Sequence, residues 1–318
     1  MARHYDIRLD KDGYVLVMVD GKNFSTMIKN RYDKPFSDEF IGLMDSTARY
    51  VCENVDGCKF AYVQSDEITF VITSFDKKEN MPYFDNRLLK LCSIIPSLAT
   101  AKFNSMREKS EKLCVFDAKV FPCRSFTDAY SFLLWRQNDC VRNSKQQAAQ
   151  TYLDKRSLLN KNTDEQIRLL RDTTGIEWDG YDDGKKYGRF IYKVNETHIN
   201  PDGEEYTRGR WKVNDAFLLG GDGREKLKSL GAIPVREPAN ANRRFEPCEF
   251  WRCPKCGGNL IWENDYDCSD VFGDEWGYRD VDGSIITQFR CADCGRSVEV
   301  TDPTPDMKEE QYSDYWFN

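Results

Sequence analysis

A chain of 318 residues has room for one sizeable domain and a smaller module, each around an apolar core. No apolar run nears the ~20 residues that cross a bilayer, and the opening MARHYDIRLDKDG lacks a signal peptide's apolar region. The expectation is therefore a soluble protein with no membrane contact, cytoplasmic in its own cell or in an infected host cell. A net charge of −7 argues against a broad basic coat for nucleic acid and leaves room for a local basic groove.

The first predicted strand is YVLVMVD, residues 14 to 20, apolar enough for the middle of a sheet, and it runs into Asp20-Gly21. A helix follows from Ser37, its N-cap, with Phe40, Ile41, Met44, Ala48, Val51 and Cys52 on one face. FAYVQSDEITFVI reads as a hairpin, strands near 59–64 and 67–73, with Ser65, Asp66 and Glu67 at the tip. A second helix spans roughly 84 to 103, and Pro96 inside it predicts a kink or a break. A strand near 113–120 comes next, then a third helix opened by Ser125 and Asp128 at capping-box spacing. YGRFIYKV marks a further strand near 188–194. From 195 to 247 the composition turns polar, and only a short helix near 223–230 stands out. The order strand, helix, hairpin, helix, strand predicts an α+β domain, a βαββαβ antiparallel sheet with helices on one face.

Two carboxylate stations lie on this frame. Asp20 leaves the end of the first strand, and Asp66 sits at the hairpin tip with Glu67 beside it. The strands that carry them are expected to be neighbours, so the acids converge on one sheet edge. Carboxylates held close repel unless a cation sits between them. Mg²⁺ suits such a site because it takes hard oxygen ligands and keeps positions open for phosphates. Two such ions can clamp the attacking and leaving oxygens of a phosphoryl or nucleotidyl transfer. Taken singly, each station also reads as an ordinary solvated turn, since Asp-Gly is a common turn dipeptide.

The words around these acids are more specific. VDGKNFS (19–25), DKP (33–35), AYVQSDEITFVI (61–72), NRLLKLCSIIPSLATAKFN (86–104) and WRQNDCVRNS (135–144) occur in that order. Together they resemble the family of tRNA-histidine guanylyltransferase and its related 3′-to-5′ RNA polymerases, over roughly residues 5 to 195. The resemblance implies a polymerase-palm-like fold and nucleotide addition at the 5′ end of tRNA or a similar RNA. It implies two Mg²⁺ ions on Asp20, the Gly21 carbonyl and Asp66, with Glu67 beside them as a catalytic acid. The stretch Asp20, Gly21, Lys22, Asn23, Phe24 and Ser25, with Ser65 and Lys34, would hold nucleotide phosphates. ATP would activate the RNA 5′-phosphate, and the 3′-hydroxyl of GTP or another NTP would attack it.

Arg136, Asp139 and Asn143 would line the nucleotide or RNA site; the plainer reading makes this segment the polar part of a capped helix beside a core Trp135. Lys155 and Lys161, and Lys185 or Lys186, would meet phosphates, or else are ordinary surface charges. A homo-oligomer, dimer or tetramer, is implied as well. One departure stands out. Where eukaryotic members read D-C-H-I-N-N, this chain reads DCVRNS, with Val141 in place of histidine. That puts strict tRNA-histidine specificity in doubt and favours the bacterial, archaeal and phage-like branch, whose members fill in missing 5′ nucleotides against a template. The competing readings are a palm-type nucleotide cyclase or dinucleotide synthase, and a non-catalytic RNA-binding zinc protein.

Of twelve cysteines, six are scattered through the first half, where buried thiols act as small apolar residues. The rest crowd into the last third. CPKCGG (253–258) and CADCGR (291–296) are two C-x-x-C knuckles, and Cys253, Cys256, Cys291 and Cys294 read as a structural, tetrahedral zinc site, a zinc ribbon. Cys248 and Cys268 are spare. The expected layout is a catalytic domain at 1–195, a connecting region at 196–247, the zinc ribbon at 248–300 and a tail at 301–318.

Overall fold

The structure is a computed structural model that describes residues 7–76, 81–200 and 202–236, together with strands at 260–267, 285–291 and 297–301. The chain divides into two compact units, 1–238 and 239–318.

The first unit is built on six antiparallel strands: β1 (Tyr14–Gly21), β2 (Cys58–Gln64), β3 (Glu67–Ile72), β4 (Phe116–Cys123), β5 (Arg189–Ile199) and β6 (Glu205–Asp215). Their spatial order is β4-β1-β3-β2-β5-β6. β1 is central, and residues 14 to 19 are all buried because both faces of the sheet are covered. Val15, Val17 and Val19 point into one cluster with α2 (Asp38–Asn54) and α3 (Leu88–Ser105). Tyr14 and Leu16 point into the other, with α4 (Phe126–Tyr152). This corrects the expectation of helices on one face: the period of two in β1 feeds two separate cores.

The predicted helix caps are present. The Ser37 hydroxyl accepts from the Phe40 N–H, and Ser125 with Asp128 forms a full capping box at the head of α4. α3 continues through Pro96, which is buried in its apolar face. β4 begins at Phe116 rather than near 113. The Asn104 side chain binds both the N–H and the carbonyl of Cys114, at 2.9 and 2.8 Å, so that segment is tied to α3 rather than to the ladder.

Three regions differ from expectation more strongly. α1 (Phe24–Arg31) starts inside the stretch read as a phosphate loop, after Asn23 in the left-handed conformation at φ 60°. β5 runs across residue 195 and pairs along its length with β6, so the region expected to be a connector contributes a strand and α8 (Gly223–Ser229) to the first unit. After α4 the chain forms α5 (Lys155–Leu158), α6 (Thr163–Thr174) and α7 (Asp183–Lys186); Leu170 of α6 and Trp178 pack on Ala148 of α4.

The second unit contains a three-stranded antiparallel sheet in the order β7 (Leu260–Asp267), β8 (Ile285–Cys291), β9 (Ser297–Thr301). Among the described residues, no helix is long and apolar enough to cross a membrane.

Candidate active site at one end of the sheet

The end of β1 is where the acids meet. Asp20 lies opposite Glu67 of β3 on one side and opposite Asp117 of β4 on the other. Residues directly opposite in an antiparallel pair share a face, with Cβ atoms about 5 Å apart. Asp117, Asp20 and Glu67 therefore form a row across three adjacent strands. Asp66 joins them from the two-residue turn between β2 and β3. Its carbonyl accepts from the Gly21 N–H at 3.2 Å, which ties the hairpin tip to the end of β1. Ser65, the other turn residue, has φ 42°, and its side chain favours the ionised form of the Asp66 carboxyl. Gly21 has a steric reason: a Cβ there would stand 2.4 Å from the Phe24 ring. That ring packs against Phe40, Phe103 and Phe116, anchoring α1 under the site.

The electrostatics follow from crowding. Partial burial, then Asp66, Glu67 and Asp117 in that order, push the Asp20 carboxyl up to about 7. Burial raises Asp66 as well, against the opposing effect of the Ser65 side chain. At an effective dielectric near 20, two carboxylates about 5 Å apart repel by about 3 kcal/mol. Among the described residues no lysine or arginine is paired with Asp20, Asp66 or Asp117. Nor do any three acidic, imidazole or thiol groups close on one point at ligand distance. The acids share one sheet end without forming a preset cage.

Glu67 is different. It is buried, and both its oxygens are taken by α4: Arg136 Nε donates to Oε1 at 2.9 Å and Nη2 to Oε2 at 2.6 Å. Arg136 also donates to Asp139 Oδ2 at 2.9 Å, and Asn143 reaches the same oxygen at 3.3 Å. Arg136, expected at the nucleotide or RNA site, is held here in an internal ion pair with Glu67 and Asp139.

The remaining residues fall in three groups. Lys22, Asn23 and Lys34 are exposed, Lys22 and Asn23 directly after the acid row; the side chain of Ser25 lies outside the described residues. Ser65, Asn143 and Lys185 line a cavity of about 80 Å³ together with Asp33, Phe36 and Gln147. Lys185 is paired with Asp38 and Asp182 at its rim, whereas Lys186 is buried against the Trp178 and Tyr187 rings and plays an internal part. Lys155 and Lys161 are not brought to the acids. Lys155 lies in α5 beyond the end of α4 and Lys161 just before α6, and both are exposed. Cys253, Cys256 and Cys294, with the spare Cys248 and Cys268, lie outside the described residues, and Cys291 ends β8.

Two residues escaped the sequence reading. Asp117 sits in FDAKVF with nothing local to mark it, and only its register against Asp20 reveals it. Gln64 is buried and donates to Glu67 Oε1 at 3.1 Å; its place in QSDE was the available signal.

The family model described as Thg1, tRNAHis guanylyltransferase, matches residues 2–126. A bacterial tRNA(His) guanylyltransferase (Thg1)-like protein solved in complex with ATP is 30% identical with a TM-score of 0.63, covering 72% of this chain and 94% of that one. The chain belongs to the tRNAHis guanylyltransferase family. A second bacterial Thg1-like structure, in complex with GTP, is 29% identical at a TM-score of 0.59, covering 73% of this chain and 95% of that one. Among curated proteins, tRNA(His) guanylyltransferase 1 of Arabidopsis thaliana is 28% identical over 166 residues, which is 50% of this chain. The chain spans only 28% of that relative's length. The stretch matched by the tRNAHis guanylyltransferase model contains Asp20, Asp66, Glu67 and Asp117 and ends at the start of α4.

Proposed function

We propose that this protein is a metal-dependent nucleotidyltransferase that adds nucleotides to the 5′ end of tRNA or a tRNA-like RNA. The observation that carries the reading is the row Asp117–Asp20–Glu67 beside Asp66, three of whose acids have no cationic partner among the described residues. Mg²⁺ fits this donor set, because it is held through one or two carboxylates plus substrate phosphates rather than in an all-protein cage. Asp20, Asp66 and the Gly21 carbonyl are the groups to hold it, with Asp117 adding negative charge. When bound, a pair of such ions supplies charge stabilisation to the phosphates in transfer.

The protein's own part is positioning. The tie from Gly21 to Asp66 fixes the two acid stations relative to each other. Lys22, Asn23, Ser25, Lys34 and Ser65 receive the triphosphate, and the cavity beside Ser65, with Phe36 and Asn143, receives the rest of a nucleotide. The ATP and GTP complexes of the two bacterial neighbours support nucleoside triphosphates as substrates. Val141 supports repair of 5′ ends over strict use of tRNA-histidine. An RNA contact is supported by the β5–β6 ribbon. Arg208, Arg210 and Lys212 share one of its faces with a single acid, Glu196, and with the stacked pair His198–Tyr206.

We extend the proposal to a structural zinc ion in the second unit and to a homo-oligomer. In support of the zinc, Leu260 pairs with Cys291. In the sequence the first C-x-x-C knuckle ends four residues before Leu260, and Cys291 opens the second. Metal analysis should return about one zinc per chain.

The decisive assay incubates the protein with Mg²⁺, labelled NTPs and a tRNA lacking its first nucleotide. The expected product is RNA longer by a nucleotide at its 5′ end, lost in Asp20→Asn and Asp66→Asn and reduced in Asp117→Asn. A cyclic or linked nucleotide made without RNA, or RNA binding with no product, would replace this reading with one of its competitors.

A further inference from the structure

The family reading leaves Glu67 as one more acid in the metal neighbourhood. The structure assigns it another task. Its carboxylate accepts three hydrogen bonds, two from Arg136 and one from the Gln64 amide, and the side chains of the ion pair are only 10% and 11% exposed. Arg136 is itself held by further contacts. Its guanidinium lies over the Trp135 ring at 4.5 Å and also binds Asp139. One residue on, the Gln137 side chain is locked by the Leu219 N–H at 2.6 Å and the Phe217 carbonyl at 2.9 Å. α4 therefore presents a rigid cation to the first residue of β3, the residue that closes the Ser65–Asp66 turn.

We propose that Arg136 is a positioning residue, which holds the Glu67 carboxylate away from the metal ions and thereby fixes the turn that carries Asp66. The proposal rests on the functional reading above. Four acids stand at this end of the sheet; neutralising one of them locally leaves three to face the ions and the phosphates. Without Arg136, Glu67 would be a buried, uncompensated charge next to Asp20, costly in itself and free to compete for metal. Loss of a group that orients a metal ligand typically lowers metal affinity or activity 10- to 100-fold.

The test compares wild type, Glu67→Gln, Arg136→Lys, Arg136→Met and the double variant Glu67→Gln/Arg136→Met. Mn²⁺ binding is measured by electron paramagnetic resonance, alongside kcat and KM for 5′ nucleotide addition. Arg136→Met should lower kcat about tenfold or more and shift the Mn²⁺ titration, with KM for nucleotide held within about twofold. The double variant should restore the Mn²⁺ titration, because no bare carboxylate remains, but only part of kcat, because the turn has lost its tie to α4, and Arg136→Lys should fall between. Two results overturn the proposal. One is Glu67→Gln losing Mn²⁺ as completely as Asp66→Asn with Arg136 intact, which would make Glu67 a ligand. The other is Arg136→Met raising KM alone with an unchanged Mn²⁺ titration, which would make Arg136 a nucleotide contact. A wild-type protein that binds Mn²⁺ but adds no nucleotide overturns the functional reading alone, and the Mn²⁺ series still decides the role of Arg136. A wild-type protein that binds no Mn²⁺ overturns both.

Discussion

Asp20 ends β1 with Asp66, Glu67 and Asp117 around it, and its carboxyl titrates near 7 instead of the usual 3.8 because burial and like charge both penalise ionisation. A carboxyl whose folded value lies above its unfolded one favours the fold fully below the unfolded value and loses that contribution as pH rises through the folded one. The metal-free protein should therefore lose stability progressively between about pH 4 and about pH 7 on account of Asp20. Divalent cation reverses the penalty by binding the ionised form, so added Mg²⁺ should raise the melting temperature more at pH 8 than at pH 5.5. Thermal melts at the two pH values, with and without Mg²⁺, check this. Equal shifts at both would mean that Asp20 is not where the ion binds. The sequence pointed to Asp20 and Asp66 because each ends a strongly apolar strand, where a carboxylate is conspicuous. Asp117 gave no such signal: it lies within a half-exposed strand, and only a long-range pairing makes it part of the site.

β1 and the β2–β3 hairpin were legible as continuous apolar runs, and α2 and α4 by an apolar face of helical period and a cap that marks each start. α1 has a left-handed asparagine as its cap and only eight residues, too few for an amphipathic pattern to declare itself. The start of β5 was read as a strand, but the rest of the β5–β6 ribbon was missed for a different reason. β2 covers only Arg189 to Tyr192 of β5; from Lys193 onward the two strands pair with each other alone. A ribbon with no buried face needs no alternation of apolar and polar residues, so its sequence reads as polar loop. Its charge is informative instead. Glu196 meets Arg210 and Lys212 at 3.4 and 2.5 Å, and one carboxylate against Arg208, Arg210 and Lys212 leaves two positive charges in surplus on the same face. If this face meets RNA phosphates, Arg208→Gln/Arg210→Gln should weaken RNA binding and flatten its dependence on the logarithm of salt by roughly 1.5 to 2. The ATP-dependent activation step on saturating RNA should change little. A salt slope equal to that of wild type would assign the ribbon to another role.

With zinc bound as proposed, the two units would draw on different sources of stability. The first carries two large apolar clusters on opposite faces of a six-stranded sheet. The second has a three-stranded sheet of eight-, seven- and five-residue strands. Small modules of that kind rely on a bound metal where a core is too small, and removal of the ion unfolds them. The two ions proposed here should then act on separate transitions. In calorimetry, Mg²⁺ should raise the transition of the first unit and leave that of the second unchanged. Stripping zinc with a thiol-directed mercurial under mild conditions, or the substitution Cys291→Ser, should remove the second transition and leave the Mg²⁺-sensitive one in place. The separation follows from chemistry as well as topology, since hard carboxylates select Mg²⁺ and thiolates select zinc. A single transition moved by both ions would mean that the units fold as one cooperative body, and the acid site would then depend on the cysteine module for its stability.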